Sequence, residues 1–143
     1  MNKPTIVVCD HIHESGLDIL KNTNDINYVY AADIDKTALL DVIKDADVCI
    51  TRSSTDIDEK FLNAATNLKA VVRAGVGVDN VDINGCSKRG VIAMNVPTAN
   101  TIAATELTMT HMLSCMRKMP YAHAQLKDQR IWKREDWYGQ ELY

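Results

Sequence analysis

Short runs of aliphatic and β-branched residues alternate along this chain with longer segments whose apolar residues recur every three or four positions. Thr5-Ile6-Val7-Val8-Cys9 is brief and unbroken, the pattern of a strand buried on both faces. Leu17, Ile19 and Leu20 mark a helix ending near Asn22-Thr23-Asn24, and Ile26 to Tyr30 reads as a second strand. Leu39, Leu40 and Ile43 fall at helical spacing between Thr37 and Lys44. Val48-Cys49-Ile50 centres a third strand over 47–51. The segment 58–65 opens with an acidic turn and brings Phe61, Leu62 and Ala65 together, as a helix does. Strands over 70–73 and 91–94 flank a short helix over 81–89.

Such alternation implies parallel strands joined by right-handed crossovers, and so an open five-stranded α/β sheet with helices on both faces. Ligands gather outside the carboxyl ends of the strands in sheets of this kind. The residues standing there are Asp10-His11, Arg52-Ser53, Arg73-Ala74-Gly75 and Asn95-Val96-Pro97. After Pro97 the rhythm changes. Asn100 is placed to cap a long helix reaching about Met119, with Arg117 and Lys118 in its last turn and Pro120 at the break. Ile102, Met109, Leu113 and Met116 form one stripe, but Ala103, Leu107 and Ser114 widen it, so this helix expects cover on more than one side. Residues 121–143 are polar, carry Trp132 and Trp137 among Lys127, Arg130, Lys133 and Arg134, and read as an extended arm. The expected organisation is a sheet domain over 1–97, then a helix and arm over 98–143.

The 143 residues suffice for one domain with a proper core. With 46% apolar and 24% charged residues the balance is that of a soluble globular protein. A net charge of -3 argues against a general nucleic-acid or anionic-membrane binder, which needs a basic excess. Cys9, Cys49, Cys86 and Cys115 show no CxxC pairing, and two of them sit inside apolar runs, where free cysteine behaves as a small hydrophobe. Lys3-Pro4 leads straight into a strand-like run with no signal-peptide pattern, and no apolar stretch reaches the length of a bilayer span. The expected location is the cytoplasm, with reduced thiols. Asp10-His11-Ile12-His13-Glu14 has the look of a metal site, yet a usable site needs a third fixed ligand, so no metal is expected and the cluster reads as loop residues capping the first helix.

Arg73-Ala74-Gly75-Val76-Gly77-Val78-Asp79-Asn80-Val81-Asp82 is the stretch richest in chemistry. Its two glycines follow a strand and remove side chains where a ligand could approach the backbone, and successive amides there can form an anion nest. Arg52 and Arg73, on neighbouring strand ends, would add planar donors suited to carboxylate and phosphate. Spacing alone favours a tight turn with two solvated arginines, since G-x-G by itself is weak evidence. The dinucleotide fingerprint is absent, because Asn80 stands where a third glycine would be needed.

Three linked motifs then point to a family. The block from Leu68 to Asp82, the turn Lys88-Arg89-Gly90-Val91, and Asn95-Val96-Pro97-Thr98-Ala99-Asn100 with Ala103-Ala104-Thr105-Glu106-Leu107 resemble, in order, the D-2-hydroxyacid dehydrogenases. The Arg-Ala-Gly form of the block, with Arg52-Ser53 upstream and Trp132-Lys133-Arg134 downstream, is most similar to the phosphoglycerate dehydrogenase branch. The resemblance implies a flavodoxin-like substrate domain into which a Rossmann domain is inserted, NAD as cofactor, and hydride transfer at C2 of a hydroxy acid. It implies that the backbone of Gly75, Val76 and Gly77 holds the substrate carboxylate. Arg52, Ser53 and Arg73 would face a phosphate end, Asn100 would line the cleft, and Val76 and Thr105 would lie beside the nicotinamide. Arg134 would reach a partner subunit in a homodimer built through 98–143. It further implies that the nucleotide loop and the catalytic arginine, glutamate and histidine follow Tyr143, so that these residues alone would be inactive; His111 and His123 do not match that histidine.

Two rival classes fare worse: a basic residue at the acceptor position argues against the first, and a stripe packed against a further domain or a twin subunit is preferred to the second. A receiver-like signalling module would want an acidic phosphoacceptor after the third strand and a lysine after the fifth, where Thr51-Arg52-Ser53 and Asn95-Val96-Pro97 stand. A stand-alone binding or assembly module would use Met109, Met112, Met116 and Met119 as an adaptable contact face.

Overall fold

The computed structural model describes residues 3–143. Five strands form one sheet: β1 (Thr5–Val8), β2 (Asn27–Tyr30), β3 (Val48–Thr51), β4 (Ala70–Arg73) and β5 (Ile92–Asn95), in the order β2-β1-β3-β4-β5. Every pairing is parallel, with Val7 opposite Cys49, Cys49 opposite Val71 and Val71 opposite Ala93. The connections are α1 (Glu14–Lys21), α2 (Lys36–Val42) with a 3-10 turn at Ile43–Asp45, α3 (Glu59–Ala64) and α4 (Ile83–Arg89). Chain direction across the sheet reverses between β1 and β3, so right-handed crossovers place α1 opposite α2, α3 and α4. This is the open α/β sheet that the hydrophobic rhythm predicts.

The core lies between the sheet and the α2–α4 layer. Val7, Cys49 and Val71 from the central strands meet Leu39, Ile43, Phe61, Leu62 and Cys86 from that layer. Three aspartates start the helices: Asp35 accepts from the amides of Thr37 and Ala38, Asp58 from Phe61 and Asp82 from Gly85. Gly90 ends α4 at φ 69°, the left-handed conformation that a side chain disfavours. β5 is one of the two edge strands, with Ile92 and Met94 exposed.

The chain divides after Ala99, and residues 100–143 form a second unit. In that unit α5 spans Thr101–Met116, shorter than its apolar pattern suggests. Asn100 precedes it without a side-chain capping bond, while Arg117 is its C-cap and Lys118 turns away at φ 53°. Pro120 opens a new helix, α6 (Met119–Ala124), as proline can in a first turn. A π turn (Gln125–Gln129) and a 3-10 turn (Arg134–Trp137) follow. The expected extended arm is therefore partly helical. It bends back, with the Trp137 indole donating to the Gln125 side chain at 2.7 Å and the Gln140 amide to the Met116 carbonyl at 3.1 Å. No residue of this unit is buried.

Candidate functional site

The reversal of direction between β1 and β3 opens a crevice at their carboxyl ends, the place where doubly wound sheets take their ligands. Asp10 follows β1 there, only 5% exposed, and its carboxylate is fully engaged. Oδ2 accepts from the backbone amides of Arg52 (2.5 Å) and Thr55 (3.2 Å), and Oδ1 accepts from the Thr55 hydroxyl (2.6 Å). The turn after β3 is thus anchored from the β1 side. Its Arg52 side chain is exposed and donates through Nη1 to the His11 carbonyl at 3.2 Å. No hydrogen bond among the described residues uses the exposed Ser53 hydroxyl.

Arg73 ends β4 with only 13% of its side chain exposed. Its Nε donates to Asn80 Oδ1 at 3.1 Å, and Asp79 lies 3.9 Å from Nη2. The Asn80 side-chain amide in turn donates to the carbonyls of Arg52 (2.8 Å) and Thr55 (2.7 Å). One asparagine therefore joins the two arginine-bearing strand ends.

The glycine-punctuated loop behaves differently from its sequence reading. Neither Gly75 nor Gly77 has a positive φ, so the turn does not demand glycine for its backbone. A Cβ at Gly75 would instead lie 2.5 Å from Arg73 Nη1, and one at Gly77 would lie 2.8 Å from the Asp79 carboxylate and 3.6 Å from the same Nη1. The missing side chains make room for a guanidinium to lie along the loop. The Gly75 amide is taken, donating to the Arg73 carbonyl at 2.8 Å. Among the described residues nothing accepts from the amides of Val76 and Gly77. Val96 and Asn95 brace the loop from β5 by donating to the carbonyls of Gly75 (3.0 Å) and Val76 (2.7 Å). Two free amides are able to receive a carboxylate.

The metal-like histidines have separate duties. His13 caps α1, its Nδ1 accepting from the Ser15 amide at 3.2 Å. His11 Nδ1 meets the Tyr30 hydroxyl at 2.7 Å, and its Nε2 lies 3.5 Å from Asp33. Lost hydration, helped by the Asp33 charge, pushes the Tyr30 phenol above its ordinary value. The Cys9 thiol is driven far upward by its contact with Cys49 and by burial, which suits an inert core position.

Of the residues singled out beforehand, Arg52, Ser53, Arg73, Gly75, Val76 and Gly77 stand at adjoining strand ends of the first unit. Asn100, Thr105 and Arg134 belong to the second, where the Thr105 hydroxyl donates to the Thr101 carbonyl of its own helix at 2.8 Å. Asp10 stands among the strand-end residues without an assigned role, and Thr55 and Asn80 carry no site role in the sequence reading. Their signal was thin: an acid directly after a strand, and an asparagine where a nucleotide loop would have glycine.

This open parallel lobe, with its crevice between β1 and β3, is of the doubly wound class. The sequence pattern of the D-isomer specific 2-hydroxyacid dehydrogenase catalytic domain matches residues 6–142, and the chain belongs to that family. It is 41% identical over 138 residues to the D-3-phosphoglycerate dehydrogenase of Methanocaldococcus jannaschii, covering 96% of this chain and 26% of that protein. A 36% identical match to the Mycobacterium tuberculosis D-3-phosphoglycerate dehydrogenase covers 100% of this chain and again 26% of the relative. The chain thus spans about a quarter of the length of these relatives. Among solved structures, an NAD+-bound 3-phosphoglycerate dehydrogenase of Entamoeba histolytica superposes with a TM-score of 0.70 at 32% identity, over 81% of this chain and 40% of that one. No helix among the described residues is long and apolar enough to cross a membrane.

Proposed function

We propose that this chain supplies the substrate-binding part of an NAD-dependent oxidoreductase acting on a D-2-hydroxy acid, with 3-phosphoglycerate oxidised to 3-phosphohydroxypyruvate. The observation that carries the reading is the pair of unused amides at Val76 and Gly77, set beside the Arg73 guanidinium and next to the Arg52-Ser53 turn. In this reading the two amides take the carboxylate. Arg52, Ser53 and Arg73 offer their remaining donors to the phosphate, where a planar fork binds best. Similarity to phosphoglycerate dehydrogenases supports the phosphorylated acid over a plain one.

NAD, when bound, would supply the hydride acceptor for C2. The residues here do not form a cradle for its pyrophosphate, since Asn80 fills the third glycine's place and its side chain is occupied with the Arg52 turn. Val76 and Thr105 would border only the nicotinamide, and Asn100 the cleft. No residue of this chain is assigned the proton-transfer role, so we take the 143 residues alone to be without turnover. The exposed apolar residues of α5 and the arm around Arg134 support a homodimer contact through 98–143, and a cytoplasmic location fits the soluble substrate.

Calorimetric titration with 3-phosphoglycerate and with D-glycerate tests the reading. The native chain should bind the phosphorylated acid more tightly. Arg73→Ala or Arg52→Ala should weaken it by about ten- to a hundredfold, the range of a lost charge-assisted hydrogen bond. No measurable binding, an unchanged affinity in both variants, or NAD-dependent turnover by these residues alone would contradict it.

A further inference from the structure

The turn carrying Arg52 and Ser53 is held on two sides by groups of opposite kind. Asp10 accepts its amide hydrogens, at Arg52 and Thr55, and Asn80 donates to its carbonyls at the same two residues. The Asn80 backbone is fixed as well, its carbonyl accepting from the Ile57 amide at 2.8 Å. Ile57 is fully buried and forms a bridge with Val81, so the asparagine sits on a rigid base. Its remaining polar atom, Oδ1, accepts from Arg73 Nε. That bond occupies the inner edge of the guanidinium and leaves Nη1 lying along Gly75 and Gly77, with Nη2 on the Asp79 side. Every hydrogen-bonding atom of one side-chain amide is therefore spent on tying the backbone of the Arg52–Thr55 turn to the Arg73 guanidinium.

We propose that Asn80 is a positioning residue which couples the Arg52–Thr55 turn to the Arg73 guanidinium and so sets selectivity for a phosphorylated over an unphosphorylated hydroxy acid. The inference rests on the substrate reading above and deepens it. A plain hydroxy acid needs the loop amides, which Gly75, Asn95 and Val96 brace without Asn80. A phosphate placed between two strand ends needs the Arg73 guanidinium at a set distance from the turn that carries Arg52, and the spacing of that turn from Arg73 is what Asn80 controls. A forked donor gains from being held in advance, because little side-chain entropy is then lost on binding.

The experiment uses the 143-residue chain, its Asn80→Ala and Asn80→Asp variants, and each in an Arg52→Ala background. Affinities for 3-phosphoglycerate and D-glycerate are measured by calorimetry, and the Arg73 Nε–H resonance is followed by NMR. Asn80→Ala should lower affinity for 3-phosphoglycerate about tenfold, as expected for an oriented hydrogen bond to a charged group, and leave D-glycerate within about threefold. The same change should cost little more once Arg52 is gone, since the two act as one unit. Asn80→Asp keeps the acceptor for Arg73 but loses both donors to the turn. It should retain a slowly exchanging Arg73 Nε–H yet lose phosphate selectivity, which a variant that merely unfolds could not do. Equal losses for both acids, additive effects with Arg52→Ala, or an Arg73 Nε–H unaffected in Asn80→Ala would overturn this inference alone. Failure of the native chain to bind 3-phosphoglycerate would overturn the substrate reading and this inference with it.

Discussion

Single side chains in this protein are chosen for what they leave room for as much as for what they contact. Gly75 illustrates this, since its backbone would accept alanine and only the Arg73 guanidinium stands in the way of a Cβ. The obstacle is the far end of a flexible side chain, so Gly75→Ala should fold normally. The displaced guanidinium should lose its seat, and affinity for 3-phosphoglycerate should fall about tenfold, the loss expected for one charge-assisted bond. Thermal unfolding followed by circular dichroism, alongside calorimetry, checks both halves. A variant that binds normally would show that Arg73 does not need this seat. Arg73 was legible in sequence as a strand-end cation. Its seat was not, because it depends on atoms brought over the loop by packing.

At the scale of elements, local chemistry explains most boundaries. Asp35, Asp58 and Asp82 each precede a helical stretch and each satisfies otherwise unpaired amides of the first turn. Gly90 closes α4 in the left-handed region with open space around its missing Cβ. Gly90→Ala therefore meets no clash and loses only on backbone conformation, about 1 kcal/mol. Urea unfolding should show a lower midpoint with an unchanged slope, and a stability equal to the native chain would refute the assignment of that φ. The second unit was harder to read. Apolar spacing continues past Met116, but Lys118 leaves helical geometry and Pro120 starts a new helix rather than ending the helical region. Periodicity reports which face is apolar, not where hydrogen bonding stops.

For the molecule as a whole, Asp47 links three strands at the end of the sheet opposite the crevice. Its carboxylate accepts from the Lys69 ammonium at 2.8 Å, just ahead of β4, and from the Thr5 amide of β1 at 2.8 Å. Lys69 first, and then the Thr5 amide, hold this carboxyl below the usual carboxylate range. Because the folded value is depressed, the stabilisation is complete above the unfolded value, roughly pH 4, and fades as pH falls through the folded one. Asp47→Asn should be less stable than the native chain at pH 7, and the gap should narrow by pH 3. A gap of constant size in urea titrations at the two pH values would rule this link out.

The number of strands, the approximate helix positions and the class of sheet follow from local alternation of apolar runs and amphipathic segments, and for that reason they could be read without coordinates, whereas the order β2-β1-β3-β4-β5 is decided by tertiary pairing. The Asp10–Thr55 and Asn80–Arg52 contacts span 45 and 28 residues, and no local pattern encodes a bond between side chains so far apart. Only parallel pairing within the sheet brings the ends of β1, β3 and β4 side by side. That pairing decides which amides stay free, which guanidinium is held, and what the crevice can bind.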